Sequence, residues 1–156
     1  MLESHNIFNN KKILIYGLGK SGLSASKFLK RNNKVIEYDD KKNKNYGKIR
    51  KIEFDYIILS PGIDINKCKL SNFLKKNYNK IHTDLDIFYS NYKNNYKITI
   101  TGTNGKSTTA KILYEVIKAQ KIDVRLVGNI GNPILLEKNI TNKTIFIIEA
   151  SSYQLA

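Results

Sequence analysis

Short, continuous apolar runs rich in β-branched residues punctuate the chain: KILIY at 12–16, VIEY at 35–38, DYIILS at 55–60, YKITI at 96–100, DVRLV at 123–127 and TIFIIEA at 144–150. Such runs suit strands buried on both faces, as in a parallel sheet, because neither face can then be polar. Between them lie segments with helical spacing. SGLSASKFLKRNN at 21–33 sets Leu23, Phe28 and Leu29 on one side, and KLSNFLKKN at 69–77 behaves similarly. STTAKILYEVIKAQK at 107–121 offers Ile112, Leu113, Val116 and Ile117 as a stripe to bury. Strand–helix alternation predicts an α/β architecture.

The polar segment SNYKNNYK at 90–97 reads as a boundary. About four strand–helix units before it would close a small, doubly wound, Rossmann-like parallel-sheet domain over residues 1–92. A second α/β domain, built on a phosphate-binding loop, starts in residues 93–156. It shows only three strands, too few for a nucleotide-binding domain of usual size, so it is expected to be incomplete.

Charge changes this picture little. The 156 residues carry a formal net charge of +14, which raises the question of nucleic acid. The charge is nearly all lysine, interleaved with asparagine, isoleucine and tyrosine along the whole chain, and no nucleic-acid module surrounds KKNKNYGKIRK at 41–51 or NYKNNYK at 91–97. It is read as solvated surface, with no nucleic-acid partner. One cysteine, Cys68, excludes a disulfide framework within the chain and fits a reducing compartment. No run is long and apolar enough for a signal peptide or a membrane span, so a soluble cytoplasmic monomer is expected.

The first candidate chemistry is YGLGKSG at 16–22, after a strand and at the start of a helix. Gly17, Gly19 and Gly22 fit G-x-G-x-x-G: a tight turn, a close backbone approach to a diphosphate, and close helix–strand packing. The helix N-terminus favours anions, so Leu18, Lys20 and Ser21 join the candidate phosphate site. Asp39 and Asp40 end the second strand about 20 residues on, where such domains place a ribose-binding acid. The turn Ser60-Pro61-Gly62 ends another strand and should face the same crevice. These residues point to a nucleotide diphosphate without saying which.

The second is TITGTNGKSTT at 99–109. Gly102, Gly105, Lys106 and Ser107 form G-x-x-G-K-S, two residues shorter than the common phosphate loop. Backbone N–H groups across Thr103, Asn104 and Thr108 can meet phosphate oxygens, Lys106 can reach a β/γ-phosphate, and the Ser107 hydroxyl can coordinate Mg²⁺. Downstream, GNIGNP at 128–133 is a strand-terminal turn rich in backbone donors, and Glu149 closes a strand where a carboxylate could hold the metal directly or through water. His5 and His82 stand outside any metal-spaced cluster and are read as structural or surface residues.

TGTNGKST, GNIG and EASSYQL, in this order and spacing, resemble the ATP-binding domain of the Mur ligases and folylpolyglutamate synthases. GLGKSG and SPGI narrow the resemblance to the D-glutamate-adding branch of the Mur ligases. Asn104 argues against the alanine-adding branch, which usually has histidine there. The resemblance implies that the first loop, with Asp39 and Gly62, holds the UDP of UDP-N-acetylmuramoyl-L-alanine, and that Asn129 touches this substrate. It implies that the second loop holds ATP, with Lys106 catalytic and Ser107 and Glu149 serving Mg²⁺. The implied reaction activates the substrate carboxylate as an acyl phosphate, which the amine of D-glutamate then attacks. Ala150 and Tyr153 replace the leucine and phenylalanine frequent in relatives. Relatives continue with a histidine and a carbamylated lysine for a second metal and with an amino-acid-binding domain; without these the chain by itself is expected to be inactive. Two alternatives stay open: another ligase of the superfamily, and a non-catalytic module that senses UDP-sugar or ATP.

Overall fold

A computed structural model describes residues 7–42 and 46–151. The chain divides between Asn91 and Tyr92 into two compact units.

The first unit holds four parallel strands, β1 (Lys12–Tyr16), β2 (Lys34–Tyr38), β3 (Tyr56–Leu59) and β4 (Ile81–His82), in the order β2-β1-β3-β4. Its helices are α1 (Lys20–Leu29), α2 (Tyr46–Ile49), α3 (Ser71–Lys76) and α4 (Asp84–Asn91). The central strands are buried on both faces. Leu14, Tyr16, Ile57 and Leu59 pack with Tyr38, Phe54, Leu70 and Leu74 on one side. Their neighbours Ile13, Ile15 and Ile58 fall on the other by strand alternation and are equally buried.

Helix α1 corrects the expected stripe. Leu23 is 49% exposed, and the buried positions are Gly22, Ser24, Ala25, Ser26 and Leu29. A helix that approaches a sheet this closely buries its small residues. An added Cβ on Gly22 would sit 1.8 Å from the Gly17 carbonyl oxygen and 2.7 Å from Ser60 Oγ.

The second unit holds β5 (Lys97–Ile100), α5 (Lys106–Ala119), β6 (Val124–Gly128) and β7 (Ile145–Glu149), with parallel strands in the order β5-β7-β6. Ala110, Val124 and Ile147 form its buried core with Ile100, Leu113, Tyr114, Ile117 and Leu126 packed against them. The stripe expected on α5 is half right. Leu113 and Ile117 face the sheet, whereas Ile112 and Val116 are 59% and 57% exposed, beside Lys111 and Glu115. The side chain of Asn95 secures the entry to β5 by donating to the carbonyls of Thr141 and Thr144, at 2.7 and 2.9 Å.

Candidate functional site

In the first unit the strand order reverses between β1 and β3, and in open α/β sheets that point carries the ligand crevice at the carboxyl ends. The loop after β1 is Gly17–Gly19 and the turn after β3 is Ser60–Gly62, so both candidate segments flank the switch point. They are bonded to each other: Ser60 Oγ donates to the Gly17 carbonyl at 2.7 Å, and the Ser60 N–H to the Tyr16 carbonyl at 3.0 Å. The other flank is tied to β2. Gly17 N–H donates to Tyr38 O at 2.9 Å, and Leu18 N–H to Asp39 Oδ2 at 2.8 Å. Asp39 Oδ1 accepts from the Lys41 N–H at 2.9 Å. These N–H donors, Leu18 first, hold the Asp39 carboxyl below the ordinary carboxylate range. Asp39 thus ties the loop through Oδ2 and its own turn after β2 through Oδ1. Asp40 accepts from the Tyr16 hydroxyl at 2.8 Å and from the Lys69 N–H at 3.0 Å.

The first bond within α1 runs from Leu23 N–H to Gly19 O at 2.9 Å, so the N–H groups of Lys20, Ser21 and Gly22 precede the helical ladder. No side chain caps this end. A Cβ added to Gly19 would meet nothing within 4 Å, which leaves open space over the loop where an anion could approach. Gly62 is similarly open.

In the second unit, β7 lies between β5 and β6, and the register sets Ile100 and Gly128 on either side of Glu149. The phosphate-type loop after β5 and the GNIG turn after β6 therefore flank the carboxylate. Glu149 is 4% exposed, and its Oε2 has no hydrogen-bond partner. Asn129, exposed on the turn after β6, donates its N–H to Glu149 O at 3.0 Å. The loop itself is open: Gly102 through Gly105, Ser107 and Thr108 are exposed. Lys106 folds back, Nζ donating to Gly102 O at 2.6 Å and Thr103 O at 3.4 Å. Both carbonyls belong to the loop that an anion would line.

These observations bear on the metal. An orphaned, buried carboxylate oxygen at a strand end, near a loop carrying a serine at its helix start, suits a hard cation. Among the described residues no group of three or more His, Cys, Asp and Glu side chains is placed to hold a metal by itself. The protein ligands on offer are thus few, as is usual where substrate phosphates complete a Mg²⁺ shell. His82 stacks edge-on to Phe8 and Tyr56, with Nδ1 3.9 Å from Asp86 Oδ2. His5 and residues 152–155 of the EASSYQL segment lie outside the described residues.

One residue escaped the sequence reading. Asp84, the first residue of α4, is 6% exposed, and its Oδ1 has no partner. Its carboxyl is pushed up by burial. The available signal was a carboxylate followed within four residues by Leu85, Ile87 and Phe88, an acid at the start of a buried helix.

Residues 100–156 match the Mur ligase middle domain. The chain is 36% identical over 165 residues to the UDP-N-acetylmuramoylalanine--D-glutamate ligase of Rickettsia felis, covering 96% of this chain and 36% of that protein. The enzyme of the same name from Caldicellulosiruptor saccharolyticus is 32% identical, covering 93% of this chain and 37% of its own length. Among solved structures, the UDP-N-acetylmuramate:L-alanyl-gamma-D-glutamyl-meso-diaminopimelate ligase from Neisseria meningitides aligns with a TM-score of 0.53 at 16% identity, over 90% of this chain and 52% of that one, a likeness of fold. The chain spans about a third of the length of the curated relatives it matches. With a middle-domain match in its second unit and D-glutamate ligases matching it nearly end to end, the chain belongs to the Mur ligase family.

Proposed function

We propose that this chain carries the nucleotide sites of an ATP-dependent cytoplasmic ligase that joins D-glutamate to UDP-N-acetylmuramoyl-L-alanine during peptidoglycan precursor synthesis. The observation that carries the reading is the pairing of two differently built strand-end glycine loops in a chain 36% identical to a D-glutamate ligase. Residues 1–92 take the UDP-sugar. The free N–H groups at the start of α1 bind its diphosphate, the open backbone at Gly19 lets it approach, and Gly62 borders the crevice. Asn129, in the second domain, 93–156, is the further residue that the family resemblance assigns to this substrate.

The second loop takes ATP through the backbone of Gly102, Thr103, Asn104, Gly105 and Thr108. On binding, Lys106 exchanges the loop carbonyls for phosphoryl oxygens. The substrate carboxylate attacks the γ-phosphorus, the bond to the β–γ bridging oxygen breaks, and an acyl phosphate and ADP result. The D-glutamate amine then attacks the acyl carbon, loses a proton and expels inorganic phosphate as the amide forms. Lys106 neutralises charge that builds on the transferring group, where such stabilisation counts most. Ser107 and Glu149 would hold Mg²⁺, which supplies further charge neutralisation on the phosphates.

Calorimetric titration of the chain with UDP-N-acetylmuramoyl-L-alanine and, separately, with NAD tests the first loop. The UDP-sugar is expected to bind more tightly; tighter binding of NAD would overturn the assignment.

A further inference from the structure

We propose that Glu137 is a positioning residue for the turn at 128–133: its carboxylate joins Arg125 in β6 to Asn132 at the far end of the turn, and so sets the Asn129 side chain before any substrate arrives. The inference rests on the assignment of Asn129 to the UDP-sugar above and deepens it.

The turn is fastened at both ends. At its start, Gly128 lies opposite Glu149 in the register of β6 and β7, and the Asn129 N–H donates to Glu149 O at 3.0 Å. At its end, Asn132 bridges back to Val127, and its side-chain Nδ2 donates to Glu137 Oε1 at 2.8 Å. The other oxygen of the same carboxylate, Oε2, lies 3.3 Å from Arg125 Nε. Arg125 is steadied in turn by Asp123, whose second oxygen accepts from the Thr144 hydroxyl at 2.5 Å. A series of polar links thus runs from the residue before β7 to the end of the turn. The Glu137 side chain is 8% exposed, against 30% for Arg125. A carboxylate withdrawn this far from water is costly unless its oxygens are engaged, and here both are. An ion pair needed only at the surface would stay in solvent, where it contributes little. The turn has little slack elsewhere. A Cβ on Gly131, at φ +76°, would sit 2.1 Å from Leu126 O, so the backbone presses directly on β6. Ile134 and Leu135, buried just beyond the turn, hold the segment that carries Glu137. Between the two fastenings Asn129 stands exposed. With the Asn132 side chain released, the end of the turn would keep only its backbone bridge. Asn129 would then sample more orientations, and a ligand would have to order it at a cost in affinity.

The experiment measures UDP-N-acetylmuramoyl-L-alanine binding by calorimetry, with thermal melts alongside. The proteins are the unaltered chain, Asn129→Ala, Glu137→Leu, Asn132→Ala, and each of the last two combined with Asn129→Ala. Asn129→Ala is expected to weaken binding about tenfold, the upper range for one lost hydrogen bond. Glu137→Leu should weaken it about three- to tenfold. Asn132→Ala, at an exposed position that loses one hydrogen bond, should weaken it about threefold with little change in the melt. On the Asn129→Ala background neither change should weaken binding further, because both act through that side chain. Glu137→Leu or Asn132→Ala at unaltered affinity would overturn the proposal, as would losses that multiply with that of Asn129→Ala. If Glu137→Leu fails to melt cooperatively, Asn132→Ala and its pair decide alone by the same criteria. A well-folded unaltered chain that binds no UDP-sugar, or binds it with no regard to Asn129→Ala, sinks the assignment of Asn129 and the inference with it. A loss in Asn129→Ala that neither Glu137→Leu nor Asn132→Ala shares sinks the inference only.

Discussion

The two glycine loops open the same kind of helix after the same kind of strand, yet they are held differently. The first is braced from two neighbours: Asp39 after β2 and Ser60 after β3. The second rests on its own lysine and stands in solvent. The difference matches what each is proposed to hold. A nucleotide-sugar that must be oriented for chemistry at its far end gains from a site formed in advance. A triphosphate brings charge and a metal of its own, and can organise a loop that is open before it arrives.

The comparison is broken hardest at Gly22. Gly22→Ala places a Cβ 1.8 Å from a backbone oxygen, which no rotamer change relieves. The first unit should lose about 3 kcal/mol, seen as a lower melting temperature, with the UDP-sugar site lost as well. A melt unchanged from the parent would show that α1 is not seated as described.

Lys106→Ala tests the other side. In a full-length ligase it should cut turnover on the order of a hundredfold or more, measured as phosphate release. The melt should move by no more than about 0.5 kcal/mol, because the lysine bonds only exposed carbonyls. Near-parental turnover would mean the loop has been misread.

Gly105→Ala sharpens the contrast with Gly22. Its Cβ would meet nothing within 4 Å, but φ is +75°. Left-handed backbone costs a non-glycine residue roughly 1–2 kcal/mol, so a modest loss confined to the second unit is expected in denaturant unfolding. A loss matching that of Gly22→Ala would mean that the second loop is as tightly packed as the first.

The smallest effect belongs to Asp39→Asn. The folded Asp39 carboxyl sits below its unfolded value of about 3.9. Its contribution is therefore complete above that value and is lost as pH falls through the folded pKa. Because Asp39 is only half-buried, the difference from the parent should stay below about 1 kcal/mol near neutrality. It should shrink as acid melts proceed from about pH 5 to about pH 2. A gap that is independent of pH would remove Asp39 from the set of braces.

What the sequence made legible follows from which forces leave a pattern. Continuous runs such as KILIY and TIFIIEA are visible because burial on two faces demands them, and the central strands fall within a residue of where they read. β4 is two residues long and is held by pairing with β3, which leaves no run to see. On α1 the tight approach to the sheet selects Gly22, Ser24 and Ala25 over Leu23, so apolarity pointed at the wrong face. On α5 Ile112 and Val116 satisfy helical spacing, yet three strands cover only the side of Leu113 and Ile117. The loops themselves were readable, since glycine and lysine at fixed offsets follow from phosphate chemistry. The braces were not, because Asp39 and Ser60 act through hydrogen bonds set by tertiary contact.

The order β5-β7-β6 has a consequence in time as well as in space. The third strand made is the one that both earlier strands need, since β5 and β6 each pair with β7 and not with each other. During synthesis this sheet can form no ladder until residues 145–149 have emerged, about 45 residues after β5 is complete. The first unit has the opposite schedule: its central strand is β1, which is present from the start and can pair as each later strand appears. A nascent chain would thus hold its first unit folded while its second still waits for a strand, and the exposed edges of β5 and β6 would depend on the ribosome's vicinity and chaperones for that interval.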